Sequence, residues 1–580
     1  MVTFLFLMLC PFIFEQKLVE PSNVPRFLSL TLLLGFVFIV WIFQKRSLYI
    51  PPVYLLLLLL GFYFVNSFSI SFALNSADAF YESQRMFLVP CILLLLLNWL
   101  INADEEILLI KSLTIIALLY SIYAIIELAQ LPNFRFETLY DVHSFAEHKN
   151  LLASFLFLLS AFPIFGLINF KSYWKVISGL AFLLLLLLII LLQVRSVYLA
   201  LLFTGLLLFL CNRKRLKIEN RKIWITAFVL VLFFVVMVIL IPDLLERFNV
   251  FAYSSSESGN ERLKIWSKTF SLIREHPIFG VGAGNWQYNY LFYGIGEIEN
   301  VSRHNISFQR PHNDLLWIMA ETGIVGFMLI LLVIIYIFKK SFSEIKAGNF
   351  NVILYFSFLS GLLVESCFSF PKERILHIFL TSIILALLIK NLGLAQSVKS
   401  KTGKTLLILL VMILIFSTLI AYYRIKGEYY TVLLLDEKAK NNPVKVIKNA
   451  QKTISVFYLS DPTSTPIYTY LGWGYATLGK IDSLLYVSTQ AYKISPFDPE
   501  VLSNYGYALE KTENRKQARK KLKEALRINP YYEEAIINLV VVEYNSKQYE
   551  QALSYLSSIE DYKNKYKFFY DKIAEKLSAK

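Results

Sequence analysis

Cysteine is scarce in this chain: 4 in 580 residues (Cys10, Cys91, Cys211 and Cys367), all in or at the ends of apolar runs. None forms a CxxC pair, so neither a disulfide framework nor a cysteine metal site is implied. Charge is thin as well, with 17% Asp, Glu, Lys and Arg against 56% hydrophobic residues and a mean hydropathy of +0.55. That balance excludes a soluble protein built around one large core. Runs such as Leu55–Leu60, Leu184–Leu192 and Val229–Ile241 are too long and too apolar for ordinary core helices, and they recur at the spacing of membrane spans.

Twelve or thirteen spans are expected, at 2–15, 27–43, 49–65, 87–101, 107–129, 149–169, 175–193, 196–211, 222–241, 313–338, 351–369, 374–390 and 404–422. The first is short and contains Pro11. Lacking a basic leader and a small-residue cleavage site, it reads as a retained helix and not a cleaved signal peptide. The net charge of +15 is not a nucleic-acid signal, because basic residues crowd alternate short loops: Lys45-Arg46, Lys171–Lys175, Arg213–Lys222, Lys339–Lys346 and Lys390–Lys404. Cytoplasmic loops carry such an excess, so the segments between, including 242–311 and everything after 422, are expected on the outer face.

After Tyr423 the composition turns polar, rich in Lys and Tyr, and a repeat appears. Pro462, Pro496 and Pro530 are 34 residues apart, and Gly472/Gly506, Ala491/Ala525, Ile494/Ile528 and Ala518/Ala552 share that period. A 34-residue unit closing in Ile-Ser-Pro or Ile-Asn-Pro resembles the tetratricopeptide repeat, a helix pair that buries its apolar face by stacking on its neighbours. The expected fold is therefore all-α: a polytopic membrane bundle over 1–422 with a large outer loop, 242–311, followed by a helical repeat domain over 423–580. Such a domain suits a protein-interaction scaffold, with glycan or peptide binding as the alternative.

Ionisable groups at the edge of a membrane span are costly and so mark candidate sites. His312 opens one span, in Arg310-Pro-His-Asn-Asp314, with Arg310, Asn313 and Asp314 beside it. Arg195, in Gln193-Val-Arg-Ser196, sits in a turn between two very apolar spans. A cation there needs an anion, a water-filled vestibule or a snorkelling path to lipid phosphate. Arg262 lies in Gly259-Asn-Glu-Arg-Leu-Lys-Ile-Trp266 at the start of an amphipathic outer-loop helix. Arginine suits a diphosphate because its planar fork makes bidentate, charge-assisted bonds, and a neutral histidine suits removal of a hydroxyl proton. Two arginines and one histidine thus fit transfer onto an acceptor hydroxyl with loss of a lipid diphosphate, a reaction needing no metal or cofactor if arginines neutralise the leaving group.

A second polar loop holds His143, Glu147 and His148 ahead of Asn150. It lacks further partners for a metal site and reads as vestibule lining. Gly280-Val-Gly-Ala-Gly284 follows no strand and lacks a Lys-Ser/Thr, so it reads as a flexible turn and not a phosphate loop. Glu321 is expected to hydrogen-bond inside the bundle, and Gly323 and Gly326 to allow close helix packing.

The strings Arg262-Leu-Lys-Ile-Trp266, His276-Pro-Ile-Phe-Gly-Val-Gly-Ala-Gly-Asn-Trp286 and Pro311-His-Asn-Asp-Leu-Leu-Trp…Glu321-Thr-Gly-Ile-Val-Gly326 resemble the O-antigen ligase family, which groups O-antigen ligases, O-antigen polymerases and bacterial O-linked oligosaccharyltransferases. The resemblance is most specific over 259–326 and looser over 140–370. Asn150-Leu-Leu-Ala153 and Ser369-Phe-Pro371 match the family's pattern. Gln193-Val-Arg-Ser departs from its usual Ser-Arg-Gly neighbours. The resemblance implies a C-type glycosyltransferase architecture, an undecaprenyl-diphosphate-linked glycan donor and metal-independent inverting transfer. It also implies His312 as base and Arg195 and Arg262 on the diphosphate. The implied setting is the periplasmic face of a bacterial inner membrane, with membrane lipids around the bundle and a protein partner on the repeats. The implied acceptor is a lipid A core sugar, ahead of a growing glycan or a protein. A lipid-linked sugar transporter would call for charges buried mid-span and a half-to-half repeat. A membrane-anchored scaffold would not need this many spans.

Overall fold

The computed structural model describes residues 2–44, 47–131, 138–212, 257–298, 302–303 and 307–578. The expected span at 222–241, the basic stretches 45–46 and 213–222, and the outer-loop residues 242–256 lie outside the described residues. Among the described residues the architecture is all-α apart from one antiparallel ribbon pairing Leu48–Ile50 with Gln396–Val398. Among the described residues, nine helices are long and apolar enough to cross a membrane, including Asn23–Gln44, Ser76–Trp99, Ala103–Gln130 and Asp314–Ala347. Two shorter apolar helices, Phe350–Ser366 and Ile375–Asn391, complete the bundle. Phe36, Leu57, Leu183, Leu202 and Met412 stand exposed on outer helix faces, where lipid and not water suits them. The helices Ser76–Trp99 and Lys149–Asn169 are 83% buried over their apolar windows and form the bundle's centre. This is a multi-pass membrane protein.

Three expected spans differ in form. The first is helix Val2–Leu9 followed by a 3-10 turn, Cys10–Phe12. At about 1.5 Å per residue its helix covers roughly 12 Å, far short of a ~30 Å hydrocarbon layer. The 149–169 span breaks into Lys149–Leu159 and Ala161–Asn169 around Ser160. Pro163 has no N–H to donate to Leu159 and its ring crowds that carbonyl, so the helix opens just before it. The last span does not stop where composition turns polar: helix Ser400–Ala439 runs unbroken for 40 residues, with Arg424 and Glu428 buried on its length.

Helix pairs follow, with second helices Ile481–Ile494, Arg515–Ile528 and Tyr549–Leu556 starting at 34-residue intervals. Each pair buries the repeating positions: Ala491 and Ala525, Ile494 and Ile528, Ala518 and Ala552. Asp498 caps helix Pro499–Lys511 by accepting from the Glu500 and Val501 N–H groups, with Pro499 in the first turn, where no N–H is needed. This helical solenoid rests on the segment around Phe292–Ser302. The Ile295 N–H donates to the Ile528 carbonyl at 2.8 Å, Asn529 Nδ2 to the Ser302 carbonyl at 2.9 Å, and Phe292 packs edge-on against Phe497.

The glycine-rich turn is fixed where flexibility was expected. Val281 and Gly282 N–H groups donate to the Ala320 and Glu321 carbonyls at 3.0 and 2.9 Å, and Ile324 N–H returns to the Pro277 carbonyl at 2.8 Å. The turn thereby replaces the helical bonds lost where Asp314–Ala347 kinks at Gly323, whose φ of 62° and ψ of −165° suit glycine alone. A Cβ at Gly323 would lie 2.2 Å from the Ile278 carbonyl oxygen, while one at Gly348 (φ 79°) would meet nothing within 4 Å. Gly323→Ala is therefore expected to cost more than the roughly 1–3 kcal/mol of backbone strain alone, and Gly348→Ala about 1 kcal/mol. Thermal melts in detergent check this, and equal losses would remove the proposed close approach.

Candidate active site

The Pro311-His312-Asn313 bend is set by both neighbours. Trp266 Nε1, on helix Glu257–Glu275, donates to the Pro311 carbonyl at 2.8 Å, and Asn313 Oδ1 caps the following helix by accepting the Leu316 N–H at 3.0 Å. Between them His312 adopts φ 55°, a left-handed conformation that costs a histidine something and persists only when its surroundings impose it. Its ring packs on Phe370 at 5.2 Å. Arg262 reaches the same turn from the other side and donates to the Phe368 carbonyl at 3.3 Å. No carboxylate pairs with Arg262 among the described residues.

Electrostatics keep this histidine neutral. Burial first, then the positive charges of Arg262 and Arg310, push the His312 imidazole down to about 3 from an ordinary 6.5. His148 is pushed down to about 4 by burial, then by Arg374, Lys149 and Arg310. The Asn150 backbone N–H donates to His148 Nδ1 at 3.1 Å, so the neutral ring carries its proton on Nε2.

Behind the histidine lies a buried ion network centred on Lys372-Glu373-Arg374. Arg310 donates to Glu373 at 2.7 Å and Arg374 to Glu147 at 2.9 Å, with Glu20 a further 3.7 Å contact. Lys372 Nζ meets Glu82 at 3.1 Å and Glu321 at 3.6 Å over the Trp317 ring, while its N–H donates to Asp314 at 3.0 Å. Arg85 pairs with Glu82, and Arg424 with Asp78 at 2.9 Å. Burial raises the Glu373 carboxyl's proton affinity, but Arg310, Arg374 and Arg85 outweigh it and hold the group down to about 2.

Of the expected residues, Arg262, Arg310 and His148 act on His312. Asn313 serves as a helix cap, Asp314 binds the Lys372 backbone, and Glu147 accepts from the Ser22 N–H at 2.7 Å as well as from Arg374. Glu321 does bond within the bundle, accepting the Trp286 N–H at 3.2 Å. His143 turns away, its Nδ1 at 2.8 Å from the Ser144 carbonyl and 3.7 Å from Glu127. Arg195 opens helix Arg195–Asn212 after a tight turn at Gln193 (φ 55°), and is not among the charges acting most on His312. Lys372, Glu373, Arg374, Glu82, Arg85 and Asp78 were not expected. Their signal was three consecutive charges directly after the Ser369-Phe-Pro371 turn, and acids early in an otherwise apolar helix.

The charged site lies at one end of the bundle of a multi-pass membrane protein, over a kinked helix. The family model described as O-antigen ligase matches residues 180–331, the stretch that holds Arg195, Arg262 and His312. Over that stretch the chain is similar to the O-antigen ligase family. A protein of Rickettsia conorii provisionally named a polysaccharide ligase is 28% identical over 126 residues, covering 21% of this chain and 28% of its own length. A provisionally named polysaccharide ligase of Rickettsia felis is 26% identical over 126 residues, 21% of this chain and 29% of its own. The chain thus spans less than a third of these relatives. The solved Cut9–Hcn1 heterotetramer of the APC/C aligns over 80% of this chain and 76% of its own at 13% identity, with a TM-score of 0.20, too low to inform the fold.

An imidazole neutral in the fold but basic when unfolded makes the folded state less favourable as pH falls below 6.5 towards 3. His312→Gln is accordingly expected to lose less melting temperature than wild type between pH 7 and pH 5. Parallel melts measure it, and identical losses would mean that His312 is not held neutral.

Proposed function

We propose that this protein transfers a preassembled glycan from undecaprenyl diphosphate to an acceptor hydroxyl at the periplasmic face of a bacterial inner membrane. The favoured acceptor is a lipid A core sugar; a protein or a growing glycan chain is the alternative. The observation that supports it most is the shared turn, Phe368–Phe370, with a neutral histidine packed on it and Arg262 donating to its Phe368 carbonyl. In the reaction the acceptor oxygen bonds to the anomeric carbon from the face opposite the diphosphate, inverting the centre. The carbon–oxygen bond to the diphosphate breaks, and the hydroxyl proton passes to His312. Arg262, with Arg195, neutralises the departing diphosphate, so no metal is required.

His312's low basicity fits this role. A diphosphate beside Arg262 offsets the positive charge that, after burial, opposes protonation, so donor binding raises the imidazole's basicity. Membrane vesicles holding donor and acceptor test the reading. His312→Ala is expected to lower transfer by about 10²–10⁴-fold, with carrier-linked glycan accumulating and the protein expressed normally. Arg262→Ala is expected to reduce transfer with lesser damage under Arg262→Lys, which keeps charge but loses the fork. Wild-type rates in His312→Ala would overturn the mechanism.

A further inference from the structure

A polar cavity of about 80 Å³ lies where bundle and repeat unit meet, and the mechanism above makes no use of it. Its walls include Glu82, Arg85, Arg310 and Glu373 from the bundle, and Asp461 and Pro462 from a turn of the repeat unit. That turn is rigid. Asp461 Oδ1 accepts the Thr463 and Thr465 N–H groups at 2.9 and 3.0 Å, and its Oδ2 accepts the Tyr470 hydroxyl at 2.6 Å. It is also tied to the bundle, by Asn75 Nδ2 donating to Ser460 Oγ at 3.1 Å and Gln309 Nε2 to the Thr463 carbonyl at 3.3 Å.

The charges say what such a space takes. Each guanidinium lining it is already matched by a carboxylate: Arg85 by Glu82, Arg310 by Glu373, Arg424 by Asp78. Little positive charge is left over for a phosphate, whereas Arg262, one side chain beyond the histidine, has a carbonyl as its partner. Paired ions still present hydrogen-bonding edges, which suit the hydroxyls of an uncharged sugar. The cavity reaches towards the histidine: Arg310, on its wall, stacks 4.6 Å from the Phe370 ring, and His312 packs on that same ring at 5.2 Å.

We infer that this cavity is the acceptor-sugar subsite, with the diphosphate on the Arg262 side of His312, and that the repeat unit supplies one of its walls through the turn 460–466. The inference rests on the transfer reading. It assigns the repeat unit a part in choosing the acceptor and not only in docking a partner.

The test uses full-length protein in vesicles, with undecaprenyl-diphosphate glycan as donor and glycan-free lipopolysaccharide core as acceptor. Pro462→Trp places a large ring in the cavity, and Pro462→Ala controls for the loss of proline. Pro462→Trp is expected to raise the acceptor KM about tenfold or more, roughly the loss of one good contact set, while donor KM stays constant and Pro462→Ala raises the acceptor KM far less. Equal melting temperatures exclude misfolding as the cause. An unchanged acceptor KM in Pro462→Trp, with His312→Ala inactive, overturns the subsite and leaves the mechanism standing. A rise in donor KM alone overturns it too, by assigning the space to the donor glycan. Full activity in His312→Ala removes the transfer reading itself, a result distinct from either.

Discussion

Lys372, Arg374 and Arg424, buried at one end of the bundle, are each answered by a carboxylate from a distant stretch of chain, and the rest of the site depends on that. Lys372 joins helices Ser76–Trp99 and Asp314–Ala347 through Glu82 and Glu321. Arg374 gathers the loops bearing Glu147 and Glu20, and Arg424 draws helix Ser400–Ala439 onto Asp78. Leaving one such charge without its partner costs roughly 3–5 kcal/mol, a large share of a typical folding free energy. The network therefore enforces a single arrangement of elements that hydrophobic packing alone, being non-directional, leaves free to slide.

That arrangement sorts charge by purpose. Arginines bound to acids make a polar but nearly neutral surface, and Arg262, held by a carbonyl, keeps its attraction for an anion. A histidine between the two feels both Arg262 and Arg310 and stays unprotonated. An anionic group arriving on one side thus changes the chemistry available on the other without any movement of the backbone.

Much of this was legible from composition and period. Apolar runs announce membrane helices because lipid leaves the backbone no partner but itself, and the 34-residue spacing announces stacked helix pairs because each must bury the same positions. His312, Arg262 and Arg310 were legible through their motif. The network was not. Arg374 and Glu147 are 227 residues apart, Lys372 and Glu82 290, and a lone sequence shows each charge without its answer. Hydropathy likewise passed over the breaks at Ser160 and Gly323, because an interrupted helix is as apolar as a straight one. It also drew a boundary at Tyr423, where burial of Arg424 and Glu428 by other charges carries the helix on.

Helix Ser400–Ala439 has no break to bend at. Along its first half it lies against helix Asn23–Gln44, and its far end packs on helix Pro443–Thr453 at the start of the solenoid. At about 1.5 Å per residue it is a rod of roughly 60 Å, twice the thickness of the hydrocarbon layer. A rod without a hinge transmits torque: tilting the solenoid swings the buried half through the bilayer, and Arg424 moves with it. Load applied outside the membrane is felt at Asp78, inside the wall of the charged site.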